Sequence, residues 1–273
     1  MIVDLANMTL SDIVKNKKTL IRAKKQTPIF SECAIKTLPK TTLKTEVIKS
    51  AGESEDPNRL KVTIVGNTAL YCDSHGDVLG VGCYEKTVNE QGANVPHLVD
   101  HKHSLEGKIG KTLRLYTEMI DVKQLGVLNS DVETTEVLLM DSEVVKEWNP
   151  KIFQLYKDKE VNQHSIGLQY VRIELAANNP DYKEEFEVWN KYYSQVINKD
   201  EVNKRGYFWY VSEIKLYEIS AVLFGSNDLT PTIETEKSEE IPTPSADTLE
   251  EKSEDPTPSS LDTLAKRRTM QLN

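Results

Sequence analysis

Tyr207 to Phe224 is the longest stretch of strand character in the chain, and it carries a charge where a core strand should have none. Ile214, Leu216, Glu218, Ser220, Val222 and Phe224 share one parity; Lys215, Tyr217 and Ile219 share the other. A carboxylate on the apolar parity faces the interior, where an unpaired charge is costly. Glu218 therefore calls for a partner, with histidine or arginine the natural one. The competing reading is a strand-end acid in water, or a structural ion pair.

Imidazoles are concentrated in Val95-Pro96-His97-Leu98-Val99-Asp100-His101-Lys102-His103. His97-x3-His101-x-His103 offers three nitrogen ligands to a metal, but the glutamate base of an HExxH-like arrangement is absent. The other chemistry open to this cluster is general-base work. One histidine must then reach a nucleophile while its second nitrogen is held by an acid or another histidine.

The nucleophile candidate is Ser165, in Val161-Asn162-Gln163-His164-Ser165-Ile166-Gly167-Leu168-Gln169-Tyr170. A serine at the start of a strand projects its hydroxyl from a fixed backbone, and Gly167 lets another chain come close. The plainer reading is a turn serine satisfied by its own backbone. Beyond it, Ile166, Leu168 and Tyr170 share one face and Val171, Ile173 and Leu175 the other, which predicts a β-bulge near Tyr170.

Elsewhere the periodicity predicts a helix over residues 4–25, with a lysine face at Lys15, Lys17, Lys18, Lys24 and Lys25 read as solvated. Strands are expected over Ile29–Ile35, Leu60–Val65 and Lys108–Met119. Asp141-Ser142 is expected to cap a short helix through Trp148, and Asn149-Pro150 a second one. A further helix follows Asn178-Asn179-Pro180, with Tyr182, Phe186, Trp189, Tyr193 and Val196 as its buried stripe.

Apolar residues make up 38% of the 273, and mean hydropathy is −0.49, which points to an unstructured portion. That portion is the C-terminal tail, where Glu236-Lys237-Ser238-Glu239-Glu240 and Glu251-Lys252-Ser253-Glu254-Asp255 open two near-copies rich in Pro, Ser and Thr. Residues 1–50 carry ten Lys/Arg against four Asp/Glu, and residues 227–273 carry five against eleven. That distribution suits protein partners better than a nucleic-acid track. Cys33, Cys72 and Cys83 lack CxxC spacing, which argues against a disulfide framework or structural zinc. No apolar run approaches the roughly 18 residues of a membrane span, and the N-terminus has no signal-peptide pattern.

Three segments together resemble the prohead maturation proteases of tailed bacteriophages, a family similar in fold to the herpesvirus assemblins. They are Leu98-Val99-Asp100-His101 with Gly107-Lys108-Ile109-Gly110, then His164-Ser165-Ile166-Gly167-Leu168, then Leu216-Tyr217-Glu218-Ile219-Ser220-Ala221-Val222 through Asn227. The likeness spans roughly residues 28–227 with the segments in the family's order. It departs in an inserted helix near 180–200 and in Gly225-Ser226 before Asn227.

The resemblance implies an α+β protein built on a mostly antiparallel β-barrel with flanking helices. It divides the chain into a basic helical extension (1–27), a protease domain (28–227) and an acidic tail (228–273). It implies a serine endopeptidase without cofactor or metal, with Ser165 as nucleophile, His101 as base and Glu218 as orienter. His103 or Asp100 are alternatives for the third role, and backbone N–H groups of Ser165 to Gly167 are candidates for part of an oxyanion hole. The implied substrates are major capsid protein, scaffold segments and the chain itself, inside the procapsid in the host cytoplasm. The portal is a further candidate partner, and self-association stays open. Two rival readings are a non-enzymatic scaffold or assembly protein on a protease-like barrel, and a His-cluster metal hydrolase.

Overall fold

The computed structural model describes residues 8–26, 43–44 and 54–234. The strand expected over Ile29–Ile35, the first residues of the N-terminal helix and the repeat tail lie outside the described residues.

Within them, nine strands make one sheet: β1 (Leu43–Lys44), β2 (Arg59–Thr68), β3 (Asp77–Leu79), β4 (His97–Val99), β5 (Lys108–Asp121), β6 (Thr134–Val145), β7 (His164–Ala177), β8 (Tyr207–Ala221) and β9 (Thr232–Glu234). Its order is β1-β9-β2-β6-β5-β4-β8-β3, with β7 attached to β8 off that path. The helices are α1 (Leu10–Lys15), α2 (Lys17–Gln26), α3 (Glu85–Gln91), α4 (Pro150–Lys157), α5 (Lys183–Tyr192) and α6 (Lys199–Arg205).

The class is α+β as expected, but the sheet is mixed and open, not an antiparallel barrel. β3 and β4 both run parallel to β8, and β1 runs parallel to β9. The end strands β1 and β3 do not pair with each other, so the sheet does not close. The cause is visible in β3 and β4. Each contributes three residues, too few for an alternating pattern to register, and each enters alongside β8 in the parallel sense.

β8 is the hub of the sheet. β7 pairs along its whole length on one edge, while β3 meets Trp209–Val211 and β4 meets Ile219–Ala221 on the other. Ile64, Ile109, Met140, Leu168 and Leu216, from β2, β5, β6, β7 and β8, are buried in the same apolar core. The predicted irregularity in β7 is present: Tyr170 opposes Ile214, Arg172 opposes Glu213, and Val171 is skipped. A second bulge lies between Thr112 and Arg114 of β5, where the skipped Leu113 is exposed while Ile109 and Leu115 on either side are buried.

Three expectations are corrected. Asp141 and Ser142 do not cap a helix. They lie inside β6, where Val137 to Met140 and Val144 are fully buried and β2 and β5 pair on either side. The neighbouring apolar run outweighs the local capping signal. Asn149 does cap α4, its side chain accepting from Ile152 N with Pro150 in the first turn.

The N-terminal helices are not an appendage. Ile13 and Leu20 are in the main core, and Lys24 of the supposedly solvated face donates to the buried Asp77 carboxylate at 2.6 Å. Lys17 bonds Glu185 and, at 2.9 Å, Glu184, both on α5.

Nor does the folded part stop at Asn227. Leu229 and Ile233 are buried, β9 pairs with β2, and the chain divides into two units at Glu236.

Candidate active site

β4, β8 and β7 are adjacent strands, and each brings one of the expected residues to the same region. β4 ends at Val99, and the chain then passes through two consecutive left-handed residues, Asp100 (φ 48) and His101 (φ 51). Such a conformation costs a non-glycine residue about 1–3 kcal/mol, so its surroundings must enforce it. They do: Asp100 N donates to Ala221 O at 3.0 Å, Lys102 N to Val99 O at 3.0 Å, and His101 N to Ser220 Oγ at 3.1 Å.

This turn swings the imidazole onto Glu218. His101 Nδ1 and Glu218 Oε1 are 2.5 Å apart, and the Ser220 hydroxyl donates to Glu218 Oε2 at 2.6 Å. Both carboxylate oxygens are thus occupied, as a group only 1% exposed requires. With Nδ1–H donating to the carboxylate, the basic lone pair of a neutral His101 is on Nε2. Backbone amide, Ser220 hydroxyl, carboxylate and imidazole form a closed loop that fixes the ring.

Ser165 lies directly opposite Ser220 in the β7–β8 ladder, and Gly167 opposite Glu218. Opposed residues in an antiparallel pair project from the same face. Ser165 therefore shares a face with Ser220 and Glu218, and no side chain stands across from the carboxylate. Ser165 is 3% exposed.

The ladder narrows the set of oxyanion donors. Val222 N donates to Gln163 O, whereas His164 N points away from β8 and donates to Thr230 Oγ1. On the β4 side, Ile219 N donates to Pro96 O and Asp100 N to Ala221 O, leaving Glu218 and Ser220 to bond with β7. By this alternation the amides of Ser165 and Gly167 are engaged with β8, and that of Ile166 faces away.

Of the alternatives for the third role, Asp100 is exposed and His103, its side chain 42% exposed, stays beside Glu218 with Nε2 4.0 Å from Oε1, whereas Glu218 meets His101 Nδ1 directly at 2.5 Å. His97 is elsewhere: its Nδ1 meets Ser142 Oγ at 2.9 Å and its Nε2 meets Tyr156 Oη at 3.1 Å. The three imidazoles of the metal reading are therefore not assembled. Among the described residues, no group of three or more His, Cys, Asp or Glu side chains could hold an ion.

Gly110 makes room for His97, since a Cβ there would meet Ser142 Oγ at 2.6 Å and His97 Nδ1 at 3.1 Å. Burial pushes the His97 imidazole down to about 3, and that of His164 down to about 4.

Ser220 is the member that sequence reasoning passed over. Its signal was present: a polar residue two places along the strand from the carboxylate, and so on the same face.

No family model matches the chain, and neither a curated protein nor a solved structure matches it.

Proposed function

We propose that the chain is a serine endopeptidase in which Ser165 is the nucleophile, His101 the general base and acid, and Glu218 the residue that orients and stabilises the imidazolium. The observation that carries this reading is the 2.5 Å contact between His101 Nδ1 and the buried Glu218, made beside a strand that sets Ser165 on the same face.

In the first step Ser165 Oγ attacks the scissile carbonyl while His101 Nε2 takes its proton. Glu218 offsets the charge that appears on the ring, in surroundings dry enough to strengthen the attraction. The imidazolium then protonates the leaving amine; water, deprotonated by the same nitrogen, attacks the acyl carbonyl, and the imidazolium returns that proton to Ser165 Oγ as the acyl–oxygen bond breaks. Ile166 N–H, turned away from β8, is the candidate donor to the oxyanion.

The order and content of the three segments extend the proposal to the substrate. By resemblance to the prohead proteases, that substrate is scaffold and capsid-protein segments in an immature procapsid, together with the chain itself.

Mass spectrometry of the purified chain before and after incubation tests the reading. Discrete cleavage products that are absent from Ser165→Ala are expected. Equal processing by Ser165→Ala would end the protease reading and favour a non-enzymatic assembly role.

A further inference from the structure

Thr230 is wrapped around the residue that precedes Ser165. Its hydroxyl donates to His164 O at 2.8 Å and accepts His164 N–H at 3.2 Å. One side chain thus supplies both backbone partners that a neighbouring strand would otherwise provide on that edge of β7. The Thr230 carbonyl accepts from His164 Nδ1 at 2.9 Å, which leaves Nε2 of the same ring as an acceptor.

Tyr156 Oη lies 3.0 Å from that Nε2 and 3.1 Å from His97 Nε2, and His97 Nδ1 lies 2.9 Å from Ser142 Oγ. With the first tautomer fixed by a carbonyl, one assignment satisfies the whole chain. Ser142 donates to His97, His97 to Tyr156, Tyr156 to His164, and His164 to Thr230.

The segment is held in place independently. Asn227 Nδ2 donates to Thr68 O at 2.8 Å, and Leu229 N donates to Asn227 Oδ1 at 3.0 Å. At Gly225 a Cβ would fall 2.6 Å from His164 O, so this close approach needs glycine.

We infer that Thr230 is a positioning residue for Ser165, acting through His164: docking of residues 225–230 against the edge of β7 that faces away from β8 fixes the backbone from which the Ser165 hydroxyl projects. The inference rests on the reading of Ser165 as nucleophile. Because β7 has β8 alone as a strand partner among the described residues, Thr230 supplies on the other edge at His164 what β8 supplies at Ser165.

The experiment uses the full chain with Thr230→Val, which keeps shape but removes the hydroxyl, and Thr230→Ser, which keeps the hydroxyl. Gly225→Ala, which crowds the same contact from the other side, is the second route should Thr230→Val not fold. Two readouts are taken: the rate at which a serine-reactive fluorophosphonate modifies Ser165, mapped by mass spectrometry, and amide hydrogen exchange over residues 163–167. Thr230→Val is expected to slow modification about tenfold or more and to speed exchange at His164, with Thr230→Ser close to the parent in both. Gly225→Ala should resemble Thr230→Val.

Parental modification rates in folded Thr230→Val or Gly225→Ala would overturn the inference, as would a Thr230→Ser protein as impaired as Thr230→Val. A parent chain that the reagent does not modify at Ser165 would instead refute the nucleophile reading. Exchange alone then decides whether Thr230 orders this strand, and unchanged exchange in Thr230→Val refutes it.

Discussion

Ser220 donates its hydroxyl to Glu218 Oε2 at 2.6 Å, so the carboxylate that holds His101 is itself held. Ser220→Ala removes this bond and the acceptor of His101 N–H while leaving all three proposed catalytic side chains in place. A hydrogen bond to a charged group contributes about 1.5–3 kcal/mol, and the stability loss should fall in that range. The rate of self-processing should fall by roughly tenfold, since a general base loses efficiency when its ring is less well oriented. Thermal melting and timed mass spectrometry of the variant check both, and an unchanged rate would remove Ser220 from the site.

Ser165→Ala, His101→Ala and their combination should each lose on the order of 10⁴-fold or more in rate, and the losses should not add, because the groups act as a unit. Ser165→Ala should cost the fold only about 1 kcal/mol. Glu218→Gln should be milder in rate and harder on stability, because the amide in a site this enclosed cannot match both the His101 and Ser220 contacts. Comparing melting and processing across the set separates the two effects.

The reading is also that of a metal-independent site, because both ring nitrogens of His97 are committed to Ser142 and Tyr156. Processing should proceed equally with and without EDTA. Activity lost to EDTA and restored by zinc would overturn the roles given to His101 and Glu218.

Truncation after Asn227 should abolish folding or activity, whereas truncation after Glu236 should retain both. The first cut removes Leu229 and Ile233, each buried, and such side chains contribute about 1.5–3 kcal/mol apiece. It removes Thr230 as well. Circular dichroism and the processing assay on both truncates decide, and an active, folded 1–227 chain would contradict the assignment of this segment to the domain.

Acid acts on stability through two opposed contributions. His97 and His164 are held at about 3 and about 4, below the ordinary 6.5, because burial disfavours their charged forms. The unfolded chain binds the extra protons, so the stability these two lend is full above pH 6.5 and is lost as pH falls toward 4. Asp73 opposes them. Its carboxyl is raised from 3.8 to about 6, first by burial and also by Asp77, against the lowering influence of His75 and Lys24. Between pH 4 and 6 the folded state binds more protons there, so stability from Asp73 is present at low pH and lost as pH rises through 6. Asp73→Asn should therefore steepen the loss of stability between pH 6 and 4, measured by denaturant unfolding across that window. An equal or shallower slope would contradict the assignment.

The burial of Glu218 was legible, but its face was not: parity grouped it with Ile214 and Leu216, whereas the ladder skips Tyr217, so Ile219 joins Leu216 in the core and Glu218 takes the opposite face with Ser220. The bulge in β7, by contrast, announced itself by a change of parity after Tyr170. What escaped was short or held by polar contacts. β3 and β4 are three residues each, and nothing local in them encodes their parallel entry beside β8. The 227–234 segment docks through Leu229 and Ile233 together with Asn227 and Thr230, but two apolar residues among Asp, Thr and Pro look like the start of a tail. Lys24 looked solvated because a lysine stem and its charge can satisfy a buried acid only once the fold supplies one. His101 and Ser165 could be nominated from residue type and neighbours, but the left-handed turn that carries His101 to Glu218 has no sequence signature of its own.

The position of β8 at the hub has a consequence for the order of events during synthesis. His101 and Ser165 leave the ribosome well before Glu218 does, and the strand that joins β4 to β7 is the last long one made. A nascent chain ending anywhere before residue 207 has neither the carboxylate nor the scaffold between its two neighbours. On the proposed reading, an interrupted translation product is consequently inert by topology, with no inhibitory segment needed to keep it so.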